Sequence, residues 1–302
     1  QELARQRTHG RGKSPFKDPV TAALQWLADH QNPAGYWSAS NFVGDSKRTK
    51  SGAKVTGNIE FRAGKADTGW ESANVGLTGL ALLAFSGDGI THAEAPKEVQ
   101  HFKQTVKAGL FWLTNVQDME GCFGPREGEE FVYNHAICTM ALAEIYHMTS
   151  APFLRVPAQR ATDFIIHCQN PGMGWRYGVK PGENDSSVTA WMVLALKTCK
   201  LAGLAFNEES VYTSANAWYD RVTVSHGGYE VTGYNAAPSG GSGFASARLG
   251  EAQDYVAVPS MDACNAMVRL FTNYAQPGSR LVNGAVKNMV TMLPTWEHHK
   301  LD

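Results

Sequence analysis

The sequence lacks the features that mark several classes of protein. It has no apolar run of the length that a membrane-spanning helix needs, so we expect no transmembrane segment. Its 27 basic and 28 acidic residues leave a formal net charge of −1, which argues against a nucleic-acid partner. The five cysteines are odd in number and have neither a disulfide-framework spacing nor a Cys-x-x-Cys pair. We therefore predict buried, reduced thiols.

Short catalytic motifs are also missing. There is no Gly-x-Ser-x-Gly elbow, phosphate loop or His-Glu-x-x-His zinc motif. No leader is visible, but the chain begins with Gln, so both a cytoplasmic location and export after removal of a leader stay open. Residues 1–18 are basic and poor in apolar side chains, which predicts a flexible arm. Residues 19–302 are then expected to form a single soluble domain.

What the sequence does contain is a repeated spacing. In "LQWLADHQNPAGYW" an aromatic residue is followed five residues later by Gln and six residues after that by a second aromatic residue. The spacing recurs twice, and a fourth copy keeps the two aromatic residues but has Thr in place of Gln. The four copies are Trp26, Gln31 and Trp37; Trp112, Gln117 and Phe123; Phe164, Gln169 and Trp175; and Trp218, Thr223 and Tyr229. Such recurrence predicts a repeat architecture.

Each copy reads as an amphipathic helix that ends at a glycine turn. A second helical pattern, rich in small and aliphatic residues on nearly every face, follows at 74–85, 135–146, 186–204 and 262–275. Such helices are packed on all sides, so the Gln-bearing helices are expected to lie outside them. Long polar loops are predicted at about 38–70 and 230–259. A fifth outer helix is predicted at 282–293, without an inner helix after it.

This pattern resembles the prenyltransferase/squalene-oxidase repeat of terpenoid cyclases and of protein prenyltransferase β subunits. The resemblance covers roughly residues 20–295 and implies an all-α fold, an α/α toroid of paired inner and outer helices whose last repeat is incomplete. It also implies a structural role for the repeated glutamines, whose side-chain amides would hydrogen-bond the end of a neighbouring helix. Another chain or a C-terminal segment would then complete the ring.

Polar residues at equivalent starts of the inner helices are the candidate site. Asn74, Ser186 and Asp262 have the residue types of helix N-caps, which is their simplest interpretation. His135 is a poor cap and titrates near neutral pH, so it is a candidate acid, base or ligand. The remaining candidates are the carboxylates Asp185 and Asp262 for catalysis. For ligand binding they are Asn74, Tyr133, Asn134, Ser187 and Trp191.

Two chemistries that the resemblance implies were compared with these residues. The cyclases of this family that protonate their substrate carry Asp-x-Asp-Asp at an inner-helix start, whereas "ENDSSVTAW" offers Asp185 alone. The prenyltransferases bind zinc through Asp, Cys and His, and Asp262 and Cys264 keep the Asp-x-Cys spacing. A zinc site needs at least three protein ligands, and the third is not apparent. We therefore expect no cofactor, with zinc as the alternative.

The functional expectation is a toroid that binds an apolar, isoprenoid or peptide-like ligand, or a protein partner, at the mouth of its central cavity. Whether it is an enzyme is left open. A first alternative is an isoprenoid transferase or cyclase. A second is a carbohydrate-active enzyme on a helical toroid, using Tyr133, His135, Arg176 and Tyr177; a mouth rich in Tyr, Arg and carboxylate would favour it.

Overall fold

A computed structural model describes residues 17–47, 69–126, 128–129, 131–238 and 259–291. This part of the chain is mostly helical, so the all-α prediction is confirmed. The α-helices in the described ranges are α1 (Lys17–Asp29), α2 (Phe42–Asp45), α3 (Asn74–Gly87), α4 (Phe102–Asn115), α5 (Phe131–Thr149), α6 (Pro152–Cys168), α7 (Ser186–Leu201), α8 (Glu208–Val222), α9 (Pro259–Phe271) and α10 (Arg280–Thr291). No helix among them is both long enough and apolar enough to cross a bilayer.

The chain divides into two compact units. The first comprises Gln1–Ile166 with Thr198–Phe206, and the second His167–Lys197 with Asn207–Asp302. The sequence-based prediction of one domain over 19–302 stays a prediction.

The first unit is organised around the contact between α3 and α5. Both helices are buried over most of their surface, as their small and aliphatic composition predicts. Gly76 and Gly79 on α3 make a close approach possible. A Cβ atom at Gly76 would lie 2.3 Å from Asn134 Oδ1, and one at Gly79 would lie 2.9 Å from Ile137 Cγ2. The α4 helix packs on α3, and the core includes fully buried Leu82, Phe85, Phe102, Leu110 and Leu142.

The second unit contains a β-hairpin between α8 and α9. Strands β1 (Thr223–His226) and β2 (Tyr229–Thr232) pair antiparallel, with Thr223 opposite Thr232 and His226 opposite Tyr229. The two-residue turn uses Gly227 and Gly228, both at positive φ, as a hairpin with right-handed twist requires. Strand β2 packs on α9 and α10.

Most predicted helices are found within a few residues of their expected bounds, including the fifth predicted outer helix, which lies at Arg280–Thr291. The hairpin is a correction, because the fourth repeat had been interpreted as a helix that ends in a glycine turn, and residues 230–259 as a loop. Helix α2 lies in the other predicted loop. The remainder of these two loops, 48–68 and 239–258, and the arm before residue 17 lie outside the described residues.

All five cysteines are free thiols, as predicted. Four are buried, and Cys264 is half-buried.

Candidate functional site

The three repeated glutamines make the same pair of hydrogen bonds. Each side-chain Nε2 donates to the backbone carbonyl four residues later. It also donates to a backbone carbonyl of the helix that begins the next copy of the repeated spacing. Gln31 reaches Gly35 O at 2.8 Å and Thr105 O at 2.9 Å. The corresponding acceptors are Gly121 O (3.0 Å) and Pro157 O (2.9 Å) for Gln117, and Met173 O (2.9 Å) and Val211 O (3.0 Å) for Gln169.

The predicted structural role of these glutamines is therefore confirmed, with one difference. The acceptors lie four to six residues inside the neighbouring helices, not among the last-turn carbonyls that have no partner within a helix.

In the three copies that keep the glutamine, the second aromatic residue is held through its backbone. In each case the N–H donates to a side chain on the small-residue helix that follows. Trp37 N–H reaches Thr78 Oγ1 at 3.1 Å, and Trp175 N–H reaches Thr189 Oγ1 at 3.0 Å. Phe123 N–H reaches His135 Nδ1 at 3.3 Å. These two threonines were missed, because a hydroxyl on an apolar helix carries no distinctive sequence signal.

His135 has no exposed surface. Its Nδ1 accepts the Phe123 N–H, and its Nε2 lies 3.0 Å from Ala161 O, to which it donates in the neutral ring. Burial lowers its pKa to about 4, more than the bond to Ala161 raises it. The two ring nitrogens thus link α5 to the turn at Phe123 and to α6. Because both are used in these contacts, His135 is not part of the site proposed below.

The other candidates of the first unit also contact backbone. Asn74 is the first residue of α3 but caps no N–H there. Its Oδ1 accepts the Ala39 N–H at 2.7 Å, because the 3₁₀ turn Glu71–Ala73 leads into the helix. Asn134 Nδ2 donates to Ser72 O at 2.7 Å. Tyr133 is half-buried.

In the second unit, Asp185 is the N-cap of α7 and is fully buried. Its Oδ1 accepts the N–H of Val188, three residues later in the chain, at 2.7 Å. This is the hydrogen bond that an N-cap side chain makes. Its Oδ2 is also buried. Burial raises the pKa of the carboxyl; the Val188 N–H, the Tyr234 hydroxyl and the Arg176 charge oppose this.

Half-buried Arg176, Tyr177 and Tyr234 and exposed Glu183 form a polar group, of which Tyr234 and Arg176 act on this carboxyl. The hydroxyls of Tyr177 and Tyr234 are 2.9 Å apart. The Arg176 guanidinium lies 5.5 Å from the Tyr177 ring centroid and pairs with Glu183 at 3.0 Å. We call Arg176, Tyr177, Glu183, Asp185 and Tyr234 the tyrosine cluster.

Ser186, interpreted as an N-cap, has a different role, because Asp185 occupies the cap. The Ser186 hydroxyl donates to Gly233 O at 2.7 Å, and its N–H donates to Tyr234 O at 2.8 Å. Ser186 thereby holds the segment that carries Tyr234 beside the start of α7. The neighbouring candidates Ser187 and Trp191 are half-buried.

Asp262 and Cys264 lie one turn inside α9. Asp262 is therefore not a cap; its Oδ1 accepts the Thr232 N–H at 2.7 Å, and its Oδ2 accepts from Asn288 on α10. Burial raises the pKa of Asp262 to about 6. Burial also raises the pKa of Cys264 to about 11, with smaller contributions from the charges of Asp185 and Asp262. Both carboxylates are therefore within electrostatic range of the Cys264 thiol, which is protonated at neutral pH.

The zinc alternative gains no third ligand from the described residues, where no three His, Cys, Asp or Glu side chains are grouped as for a metal ion. His298 and His299 lie outside the described residues.

The structure thus divides the candidate residues between the two units. Asn74, Tyr133, Asn134 and His135 belong to the first, and Asp185, Ser187, Trp191, Asp262 and Cys264 to the second. Sequence reasoning missed Tyr234. The "HGGY" stretch between two alternating segments was the signal that predicts a hairpin, and that hairpin delivers Tyr234 two residues after its second strand.

Comparison with protein-family models, with curated proteins and with solved structures returns no match to this chain.

Proposed function

We propose that this chain is a repeat protein of the α/α-toroid type, resembling terpenoid cyclases and prenyltransferases in architecture. The equivalent hydrogen bonds of Gln31, Gln117 and Gln169 support the proposal, since each links one amphipathic helix to the next. Short nearest-neighbour links repeated along a chain are typical of repeat architectures.

Within this architecture the chain binds a polar, hydroxyl-bearing ligand of the carbohydrate type at the tyrosine cluster. The observation that carries this proposal is the Tyr177–Tyr234 hydroxyl pair, 2.9 Å apart, beside the buried carboxyl of Asp185. Tyrosine hydroxyls, a guanidinium and carboxylates offer donors and acceptors that match a polyol. A hydrocarbon would displace water from these groups and offer no hydrogen bond in its place.

A protonating cyclase is less well supported. Asp185 Oδ1 is committed to the helix cap, and no second or third Asp follows it. One observation favours the cyclase as a second candidate, namely that burial raises the pKa of Asp185, as an acid catalyst requires.

The test is a binding screen of the full chain against two sets of probes, a panel of neutral oligosaccharides and a panel of isoprenoid alcohols and diphosphates. We expect at least one saccharide to bind and Tyr177→Phe or Tyr234→Phe to weaken its affinity about fivefold or more. Tyr274→Phe is the matched control, because it removes a hydroxyl of the same unit that is bound to Asp220.

Binding of isoprenoids but of no saccharide, together with isoprenoid turnover that Asp185→Asn abolishes, would overturn the proposal in favour of a protonating cyclase. Binding of saccharides that is unchanged in both tyrosine variants would place the ligand elsewhere.

A further inference from the structure

An exposed apolar surface lies on α4 and α6 of the first unit. Phe111 and Phe153 are 49% and 45% exposed, and their rings stack with centroids 6.0 Å apart and planes within 11°. Val156, one turn after Phe153 on α6, is 64% exposed. We call these three residues the aromatic patch. An aromatic side chain presents roughly 150–250 Å², so the two half-exposed rings alone leave on the order of 200 Å² of contiguous apolar surface.

Basic groups border the aromatic patch. Lys107 Nζ lies 5.8 Å from the Phe111 ring centroid. The ring of His92 meets that of Phe153 edge-on at 5.2 Å, and its buried Nδ1 has no hydrogen-bond partner among the described residues. The charges of Lys107 and Lys103 both act on His92. Neither lysine forms an ion pair with a carboxylate of the described residues.

A contiguous apolar surface bordered by polar groups is typical of an interaction site, whereas single exposed apolar side chains are not. Here Lys103 and Lys107 on α4 supply positive charge at the border. A partner that fits it therefore carries carboxylates around apolar side chains.

We propose that the aromatic patch docks an acidic, amphipathic segment of a partner protein. Leu or aromatic side chains of the segment pack on Phe111, Phe153 and Val156, and its Asp or Glu side chains pair with Lys103 and Lys107. Like charges at the border disfavour a symmetric contact with a second copy of the chain. Two lysines are fewer than the roughly four to eight basic residues of a typical anionic-membrane site.

The test is a peptide-display selection of random 16-residue segments on the full chain, followed by fluorescence anisotropy with the enriched peptides. We expect enrichment of Asp and Glu together with Leu, Phe or Trp, and dissociation constants on the order of 10–100 μM, as for a small transient interface. Phe153→Ser with Val156→Ser should weaken binding at least tenfold. Met119→Ser is the matched control, because Met119 is 94% exposed outside the patch.

Lys107→Glu is a second variant that leaves the apolar surface in place. It should weaken binding and reduce its dependence on salt. Absence of an acidic, apolar consensus, or equal binding by Phe153→Ser/Val156→Ser, overturns the proposal. So does binding to phosphatidylserine vesicles that the same double variant abolishes, since that result assigns the patch to a membrane.

Discussion

At the scale of single residues, most polar side chains singled out by the sequence hold backbone groups. Asn74, His135 and Asp262 are the first, fifth and fourth residues of α3, α5 and α9 respectively. Each accepts an N–H from a segment that precedes its own helix, namely Ala39, Phe123 and Thr232. A polar residue near the start of a buried helix can thus satisfy a structural need, and its position alone does not indicate catalysis.

The glutamine hydrogen bonds are the residue-scale feature most open to measurement. We expect Gln117→Leu to lower the free energy of unfolding by about 1–3 kcal/mol, because Gly121 O and Pro157 O both lose the amide donor inside the structure. Chemical denaturation followed by circular dichroism measures this. Gln104→Leu is the control; its side chain is exposed on α4, and the change should stay within about 0.5 kcal/mol. Equal stability of the two variants would contradict the structural role.

At the scale of secondary-structure elements, the glycine turns that follow α1 and α4 lie in close contact with the backbone of α4 and α6 respectively. Gly121 has φ of +100°, and a Cβ atom there would lie 2.2 Å from Arg160 O on α6. Gly35 has the same geometry, with φ of +104° and Ala108 O of α4 2.5 Å from its Cβ position. Glycine is required here for the backbone conformation and for space.

These two requirements can be separated by a pair of substitutions. Gly178 has φ of +113° but no heavy atom within 4 Å of a Cβ position. Gly178→Ala should therefore cost only the left-handed conformation, about 1–2 kcal/mol, and Gly121→Ala a further 1–3 kcal/mol for the displaced helix. Thermal unfolding of both variants tests this, and similar losses would show that α6 does not constrain the turn.

At the scale of the whole molecule, two buried groups give stability opposite dependences on pH. The lowered pKa of His135, about 4, means that the unfolded chain binds the proton more tightly. The contribution of His135 to the free energy of unfolding is therefore fully present above about pH 6.5 and is lost as the pH falls towards 4. The raised pKa of Asp262, about 6, means that the folded chain binds the proton more tightly. Its contribution is full below about pH 3.8 and is lost as the pH rises through 6.

Substituting one of the two residues should leave the pH dependence that is due to the other. We expect the free energy of unfolding of Asp262→Asn to rise more steeply with pH than that of wild type between pH 4 and 6.5. The difference between variant and wild type should favour the variant by about 1–3 kcal/mol more at pH 7 than at pH 4. His135→Gln should have the reverse effect on the slope. Urea denaturation at half-unit pH intervals measures both. A wild-type slope that neither substitution changes would assign the pH dependence to other groups.

The apolar helical patterns and the glycine positions were sufficient by themselves to predict most of the helices and the turns after them, and the resemblance to a repeat family implied the role of the glutamines. This is possible because each feature depends on local geometry: a helical period, a positive φ after the last turn, and an amide four residues from its acceptor. The hairpin was missed although its Gly-Gly turn is also local, since the repeat pattern was given precedence over the alternation around it.

Only the tertiary structure decided which polar residues share a site. His135 had the residue type of a catalytic group, yet both of its nitrogens are used in the core, because a ring buried among helices must satisfy its hydrogen bonds there. Tyr177 and Tyr234 are 57 residues apart in the chain and meet at 2.9 Å. Their contact depends on the packing of the hairpin segment beside α7, a long-range arrangement that no spacing in the sequence encodes.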